Sequence, residues 1–247
     1  MPIQWLNTNS PNSGVSYINT SGQGNLTMYK SSLGGLITTG LLFNLDMQNY
    51  SSGTTWTDNS GNNNNFTFSG IPTVTNSGTN MSYFTAGSVF ATAASAIFPA
   101  NTSYSKGIVV RGNGSSFGTG NLISSTGAEA WYFNGSNVLY GGNNNGDGVA
   151  SAQQTSGTEA FNVWYYLSMT FTTGVGWQFY VNGSPVTTTG PTNDKIASTP
   201  QIGAFSGGYT FAGSIAVAHT YTRALTATEH LQNANYYLTR YSGSIPA

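Results

Sequence analysis

Val163-Trp164-Tyr165-Tyr166-Leu167-Ser168-Met169-Thr170-Phe171 is followed, after a short break, by Trp177-Gln178-Phe179-Tyr180-Val181-Asn182-Gly183. In the first segment Val163, Tyr165, Leu167, Met169 and Phe171 alternate with Trp164, Tyr166, Ser168 and Thr170. That period of two places one wholly apolar row on a single buried face of a strand. In the second segment Asn182-Gly183 is the dipeptide that best accepts the two positive φ angles of a type I′ turn, so Ser184 to Thr187 is expected to return as a hairpin. These two segments predict an all-β fold.

Working outward, short apolar runs alternate with Gly, Asn and Ser clusters from Gly40 onward, the spacing of a sandwich. The runs are Leu41 to Leu45, Phe66 to Phe68, Tyr83-Phe84, Ile108 to Val110, Asn121 to Ile123, Trp131 to Phe133, Val138 to Tyr140, Gln201 to Gly203 and Gly213 to Thr222. One helix is expected over about 226 to 237. Thr226 and Glu229 have the spacing of a capping box, and Leu231, Ala234 and Leu238 supply an apolar face. Residues 1–37 show isolated apolar side chains (Trp5, Val15, Tyr17, Ile18, Leu26) with no sustained period, and read as an extended arm. The expected organisation is therefore the arm at 1–37, a β-sandwich at 38–241 and a tail at 242–247.

Composition narrows the partners. Only 5% of the 247 residues are charged, against about 25% in an average soluble protein, and the net charge is −1. The basic residues Lys30, Lys106, Arg111, Lys195, Arg223 and Arg240 are scattered singly, with no stripe to displace counterions from phosphates, so nucleic acid is not an expected partner. Gly, Ser, Thr and Asn fill roughly half the chain, yet 13% aromatic residues can bury enough apolar surface to offset chain entropy. The chain has no cysteine, which excludes disulfides and thiolate metal sites. Met1-Pro2-Ile3-Gln4 begins neither a basic nor an apolar leader, and no run of 18 apolar residues occurs, so neither a signal peptide nor membrane insertion is expected.

Five blocks in order carry a family resemblance: Gly40-Leu41-Leu42-Phe43-Asn44-Leu45-Asp46 with Gly53 to Asn62, Trp164 to Phe171, Phe179-Tyr180-Val181-Asn182-Gly183, Phe211-Ala212-Gly213-Ser214-Ile215-Ala216, and Tyr221-Thr222-Arg223-Ala224-Leu225-Thr226. Over about 40 to 240 the chain resembles the concanavalin A-like, laminin-G-like domains common in tailed phages and other viruses. The resemblance implies a jelly-roll sandwich of two antiparallel sheets, with rim loops carrying any ligand or calcium. It does not imply activity, because this fold hosts lectins, glycosidases, adhesion modules and inert structural domains. The chain departs from the family pattern at Ala216-Val217-Ala218-His219-Thr220, and fits it poorly from about 72 to 103.

Catalytic motifs are not expected. Glycosidases of this family use a Glu-x-Asp-x-(x)-Glu strand that holds two carboxylates for a retaining mechanism, whereas Glu129, Glu159 and Glu229 stand apart, and Glu229 is explained by helix capping. Gly114-Ser115-Ser116-Phe117-Gly118 matches the nucleophile-elbow pattern without its strand-to-helix setting. His219, in register with Ile215, Val217 and Tyr221, reads as a hydrogen-bonded, partly buried residue, and His230 as solvated. Calcium is the ion the loops suit best, through Asp147 with Asn143, Asn144 and Asn145, or through Asp58 with Asn62. The same turns would be needed structurally at positive φ. For a glycan, the candidates are Asn143 to Asp147, Trp56 with Asp58, and Tyr209 after Ser206-Gly207-Gly208.

A polar, nearly uncharged, cysteine-free chain suits proteins that assemble in a host cytoplasm and then work outside it on a particle. The expectation is a non-enzymatic virion component, a capsid decoration or cement protein or a tail adhesion module. It would form homo-oligomers, contact other virion proteins through residues 1–37 and display a lectin-like sandwich to surface glycans. A bacterial surface adhesin and a divergent glycoside hydrolase are the alternatives.

Overall fold

The computed structural model describes residues 34–77, 81–114, 117, 120–126, 130–142, 152–154, 159–189 and 197–241, together with the strand backbone at 17–20 and 26–29. Short strands build an eight-stranded antiparallel sheet facing a five-stranded one, with a four-stranded sheet alongside. The long strands Tyr104–Gly112, Trp164–Thr172 and Gly213–Tyr221 form the middle of the eight-stranded sheet. Asn182 (φ 49°) and Gly183 (φ 81°) make the anticipated turn, from which Ser184–Val186 folds back on Gly176–Val181. The five-stranded sheet runs in the order Ile123–Ser125, Pro200–Ile202, Ala91–Ala93, Phe66–Phe68, Thr55–Trp56.

Between the sheets, Ile108, Val110, Leu167, Met169, Phe171 and Phe179 meet Phe66, Phe68, Ile123 and Ile202 in one core. At about 25 cal/mol per Å² of apolar area removed from water, such burial is the principal stabilising term. Lys106 shares this face. Its Nζ donates to the carbonyl of Ile123 on the opposite sheet at 3.0 Å and lies over the rings of Phe98 and Tyr104.

The expected apolar row is only partly the buried one. Leu167, Met169 and Phe171 are fully enclosed, but Val163 precedes the strand and Tyr165 is half-buried. The alternate row, Trp164, Tyr166, Ser168 and Thr170, is buried as well, because helix α1 (Ala227–Arg240) lies across it. A second correction concerns His219. Strict alternation would seat it with Ile215, but the register shifts between Ile215 and Val217 opposite Tyr104–Gly112. This bulge reverses the facing of the residues beyond it. Ile215 enters the inter-sheet core, while Val217 and His219 turn toward α1.

Helix α1 starts as the sequence predicts. Thr226 accepts from the Glu229 amide and Glu229 accepts from the Thr226 amide, the reciprocal capping box. It ends at Arg240, later than anticipated, and its buried residues are His230, Asn233, Ala234, Asn235 and Tyr237, with Leu231 and Leu238 only half-buried beside them. The helix approaches so closely that a Cβ on Gly183 would sit 2.8 Å from the Leu231 Cα.

The stretch read as an arm meets the sandwich at its C-terminal end. Gly35 and Ile37 are already pinned to the sandwich: the Gly35 carbonyl accepts from Gln232 Nε2, the Ile37 amide donates to Asn233 Oδ1, and Tyr221 donates to the Ile37 carbonyl. Upstream, where no period was legible, Tyr17–Thr20 and Leu26–Tyr29 pair antiparallel, with Tyr17 opposite Tyr29. Other expectations for residues 1–33 and for the tail at 242–247 lie outside the described residues.

Candidate functional site

The two histidines lie at the seam between α1 and the sheet, His230 on the helix and His219 on the strand beneath it. His219 is fully buried, and its ring nitrogens hydrogen-bond with the Tyr166 hydroxyl (3.0 Å) and the Tyr237 hydroxyl (3.1 Å). Gly107, directly across the ladder, makes room for this. A Cβ there would meet His219 Nε2 at a distance of 2.1 Å. His230, anticipated as solvated, is instead fully buried: it bonds with Ser168 Oγ (2.9 Å) and Thr170 Oγ1 (2.7 Å), and stacks on Tyr180 at 3.9 Å. The sheet face beneath carries hydroxyls, so the helix must bring polar partners to it. Burial lowers both rings to about 3, with each histidine's ordinary value at 6.5. They are neutral at pH 7 and serve as structural hydrogen-bonding groups.

Glu229 and Asp46 are likewise engaged. Glu229 caps α1 and grips Arg223 through both oxygens; this bonding to Arg223 lowers its pKa to about 2. Asp46 accepts from the Gln48 amide and the Tyr241 hydroxyl and pairs with Arg240 at 2.7 Å. Glu159 is buried with Oε1 accepting from Gln154 and Oε2 without a hydrogen-bond partner among the described residues, and burial raises its pKa. Glu129 and Ser116 lie outside the described residues.

Of the residues anticipated to bind ligand, Asn143, Asn144, Asn145 and Asp147 also lie outside the described residues. Trp56 is corrected. It is fully buried, stacked on Phe68 (5.4 Å) and edge-on to Phe84 (5.5 Å), so no sugar ring reaches it. Asp58, 7% exposed, accepts from the amides of Asn44, Ser60 and Asn64 and from Ser60 Oγ. Asn62 Nδ2 spans the carbonyls of Leu41 and Leu42. Asp58 and Asn62 thus clasp their loop to the first strand of the sandwich, and the Asp58 oxygens are spent on that fastening. Among the described residues no three of His, Cys, Asp and Glu converge.

Tyr209 remains open to solvent. It is 67% exposed, at φ 45°, in a turn where Phe205 and Gly208 exchange backbone hydrogen bonds at 2.9 Å. The turn rests on the outer face of the five-stranded sheet, its Gly207 amide donating to Gln201 Oε1. Across that face one polar row runs through every strand, Thr55 beside Thr67, Thr67 beside Thr92, Thr92 beside Gln201 and Gln201 beside Ser124. Thr55 and Thr67 are exposed and Thr92 half-exposed, whereas Gln201 and Ser124 are covered. Sequence reasoning missed this row. Its signal was one polar residue centred in each short run, as in Phe66-Thr67-Phe68, Ala91-Thr92-Ala93 and Pro200-Gln201-Ile202.

Comparison with known proteins decides the lineage. The family model of the concanavalin A-like lectin/glucanases superfamily matches residues 90–229, more than half the chain. The chain belongs to this superfamily. No curated protein matches its sequence significantly. Similar folds include a Trypanosoma rangeli sialidase, 15% identical, TM-score 0.59, the match covering 82% of this chain and 34% of the sialidase. Domain 4 of the Geobacillus stearothermophilus GH43 arabinanase AbnA, in complex with arabinotriose, is 14% identical with TM-score 0.62, covering 78% of this chain and 98% of that domain. A botulinum neurotoxin type C structure, whose cell entry depends on interaction with two ganglioside molecules, is 14% identical with TM-score 0.60, covering 79% of this chain and 51% of that one. This chain therefore spans about a third of the sialidase's length. At these identities the likeness is one of fold, the jelly-roll sandwich anticipated from the sequence.

Proposed function

We propose that the protein is a non-enzymatic, lectin-like recognition module that binds surface glycans while carried on a virion, as a capsid decoration or tail adhesion component. One observation carries the non-enzymatic, lectin-like part of this reading. Among the described groups suited to acid–base work, His219 and His230 are sealed and neutral, Glu229 is locked to Arg223 and Glu159 is buried away from solvent, while the open sheet face offers an exposed ring and hydroxyls. Glycan recognition on this fold has precedent in the arabinotriose complex of the arabinanase domain and in the gangliosides named for the neurotoxin. The virion setting rests on the low charge, the lack of cysteine and the family's frequency in tailed phages.

Affinity electrophoresis of the full chain in gels containing bacterial surface polysaccharides, run beside a reducing-end assay on the same polymers, tests the reading. Retardation without release of reducing ends is expected; turnover abolished by Glu159→Gln would establish a hydrolase instead. Mass spectrometry of purified particles tests the virion setting, and deletion of residues 2–33 is expected to leave a folded sandwich that no longer joins them.

A further inference from the structure

We infer that a neutral oligosaccharide docks on the open face of the five-stranded sheet, with Tyr209 as the ring that stacks on a sugar and Thr67 and Thr92 as hydroxyl partners. This rests on the glycan-binding reading above and names the surface and the class of sugar.

Tyr209 is exposed, yet its backbone is held. The amide and side-chain nitrogens of Asn121 both donate to its carbonyl, at 3.1 and 3.2 Å, and Thr210 Oγ1 donates to the Gly87 carbonyl at 2.6 Å. A φ of 45° is left-handed, a conformation that a bulky side chain keeps only where the surroundings impose it. Glycine is the residue that suits such a position, and Gly207 and Gly208 stand immediately before it. The turn has left-handed backbone at Ser206, Gly207 and Tyr209, all exposed, and the last of these carries an aromatic ring. The Phe205 ring stands 6.5 Å from that of Tyr209, and the sheet bonds beneath the turn fix the platform.

The polar row supplies what a sugar's hydroxyls need. Gln201 Nε2 donates to Thr92 Oγ1 at 3.1 Å, which fills an acceptor site and leaves the Thr92 proton to donate elsewhere. Thr67 stands next in the row, open to solvent. On the other side, Asn121 bridges to Tyr132, whose ring stacks on Tyr140 at 5.6 Å. Rings beside hydroxyls suit the two surfaces of a pyranose or furanose, its C–H face and its hydroxyl edge. The charge pattern selects among sugars. None of the five strands contains Asp, Glu, Lys or Arg, and nearby Asp58 is turned inward to its own loop, so the described face has no cation for a sialate, a sulfate or a phosphate.

Calorimetric titration of the full chain with maltotriose, cellotriose, arabinotriose and chitotriose, and with 3′-sialyllactose against lactose, is the test. The wild type is expected to bind at least one neutral trisaccharide and to gain nothing from the sialyl group. Tyr209→Gly should weaken that binding at least tenfold with an unchanged or higher Tm, since glycine accepts the left-handed backbone, and Thr67→Ala should weaken it severalfold. Equal binding by wild type and Tyr209→Gly would overturn this site and leave glycan recognition standing elsewhere on the molecule. A clear preference for the sialylated ligand would overturn the neutral class. No binding to any of these sugars would overturn both the site and the glycan-binding reading.

Discussion

The two outer faces of this sandwich carry similar chemistry and meet different fates. Under α1, the row Tyr166, Ser168 and Thr170 is sealed against His219, His230 and Tyr237. On the opposite side the row Thr55, Thr67 and Thr92 lies open, with Tyr209 standing above its far end. Both rows alternate with core residues in the same period of two. The difference shows that alternation identifies the row turned away from the inter-sheet core, but not whether water or another element meets it. A sealed polar row must be hydrogen-bonded throughout, since an unmade buried bond costs about 1–3 kcal/mol, and an open row has no such obligation.

Acid should break the comparison most strongly. Both buried histidines have folded-state values lowered to about 3 from 6.5, so their contribution to stability is complete above about pH 6.5. It is lost as pH falls toward 3, at up to about 1.4 kcal/mol per pH unit for each ring. Asp46 and Glu159, raised by burial, act in the opposite sense and offset part of the loss. Urea denaturation at pH 7 and pH 5 is expected to show a drop of several kcal/mol, and His230→Gln should flatten the slope by about half. An unchanged midpoint would mean that the sealed face is not sealed.

The next effect belongs to the shared core. Leu167→Ala removes a fully buried side chain between the sheets and should cost about 2–5 kcal/mol, read from the denaturation midpoint. Below it comes Gly107→Ala, whose new methyl would collide with His219 and Tyr166. A loss of about 1–3 kcal/mol is expected, with hydrogen exchange rising first in α1. The smallest change is Thr67→Ala on the open face, within about 0.5 kcal/mol of the wild type. A Thr67→Ala loss as large as that of Gly107→Ala would show that the open face is covered too.

Much of the fold was legible because it rests on local chemistry. Asn182-Gly183 accepts positive φ wherever it occurs, and Thr226 with Glu229 closes a capping box within one turn of chain. The proposed site was legible only where exposure followed from turn chemistry, as at Tyr209. Trp56 and Asp58 misled because an aromatic and a carboxylate in an Asn-rich loop look alike whether they face a sugar or pack inward. The Thr67, Thr92 and Gln201 row was not seen because its members are separated in sequence and become neighbours only through strand order. His230 was misread because helical periodicity weighs apolar residues and gives no signal for a polar stripe that matches a polar sheet.

The sequence by itself determined the class of fold, the hairpin, the helix start and the lack of charge, since each follows from alternation, turn geometry or composition. The tertiary structure decided which faces the rows occupy. The bulge after Ile215 turned His219 toward α1, and the docking of that helix made one polar row interior. The inter-sheet packing enclosed Trp56, and the pinned turn at Phe205 to Gly208 left Tyr209 in solvent. These outcomes depend on contacts between residues far apart in the chain, and local alternation carries no record of what lies across a strand's outer face.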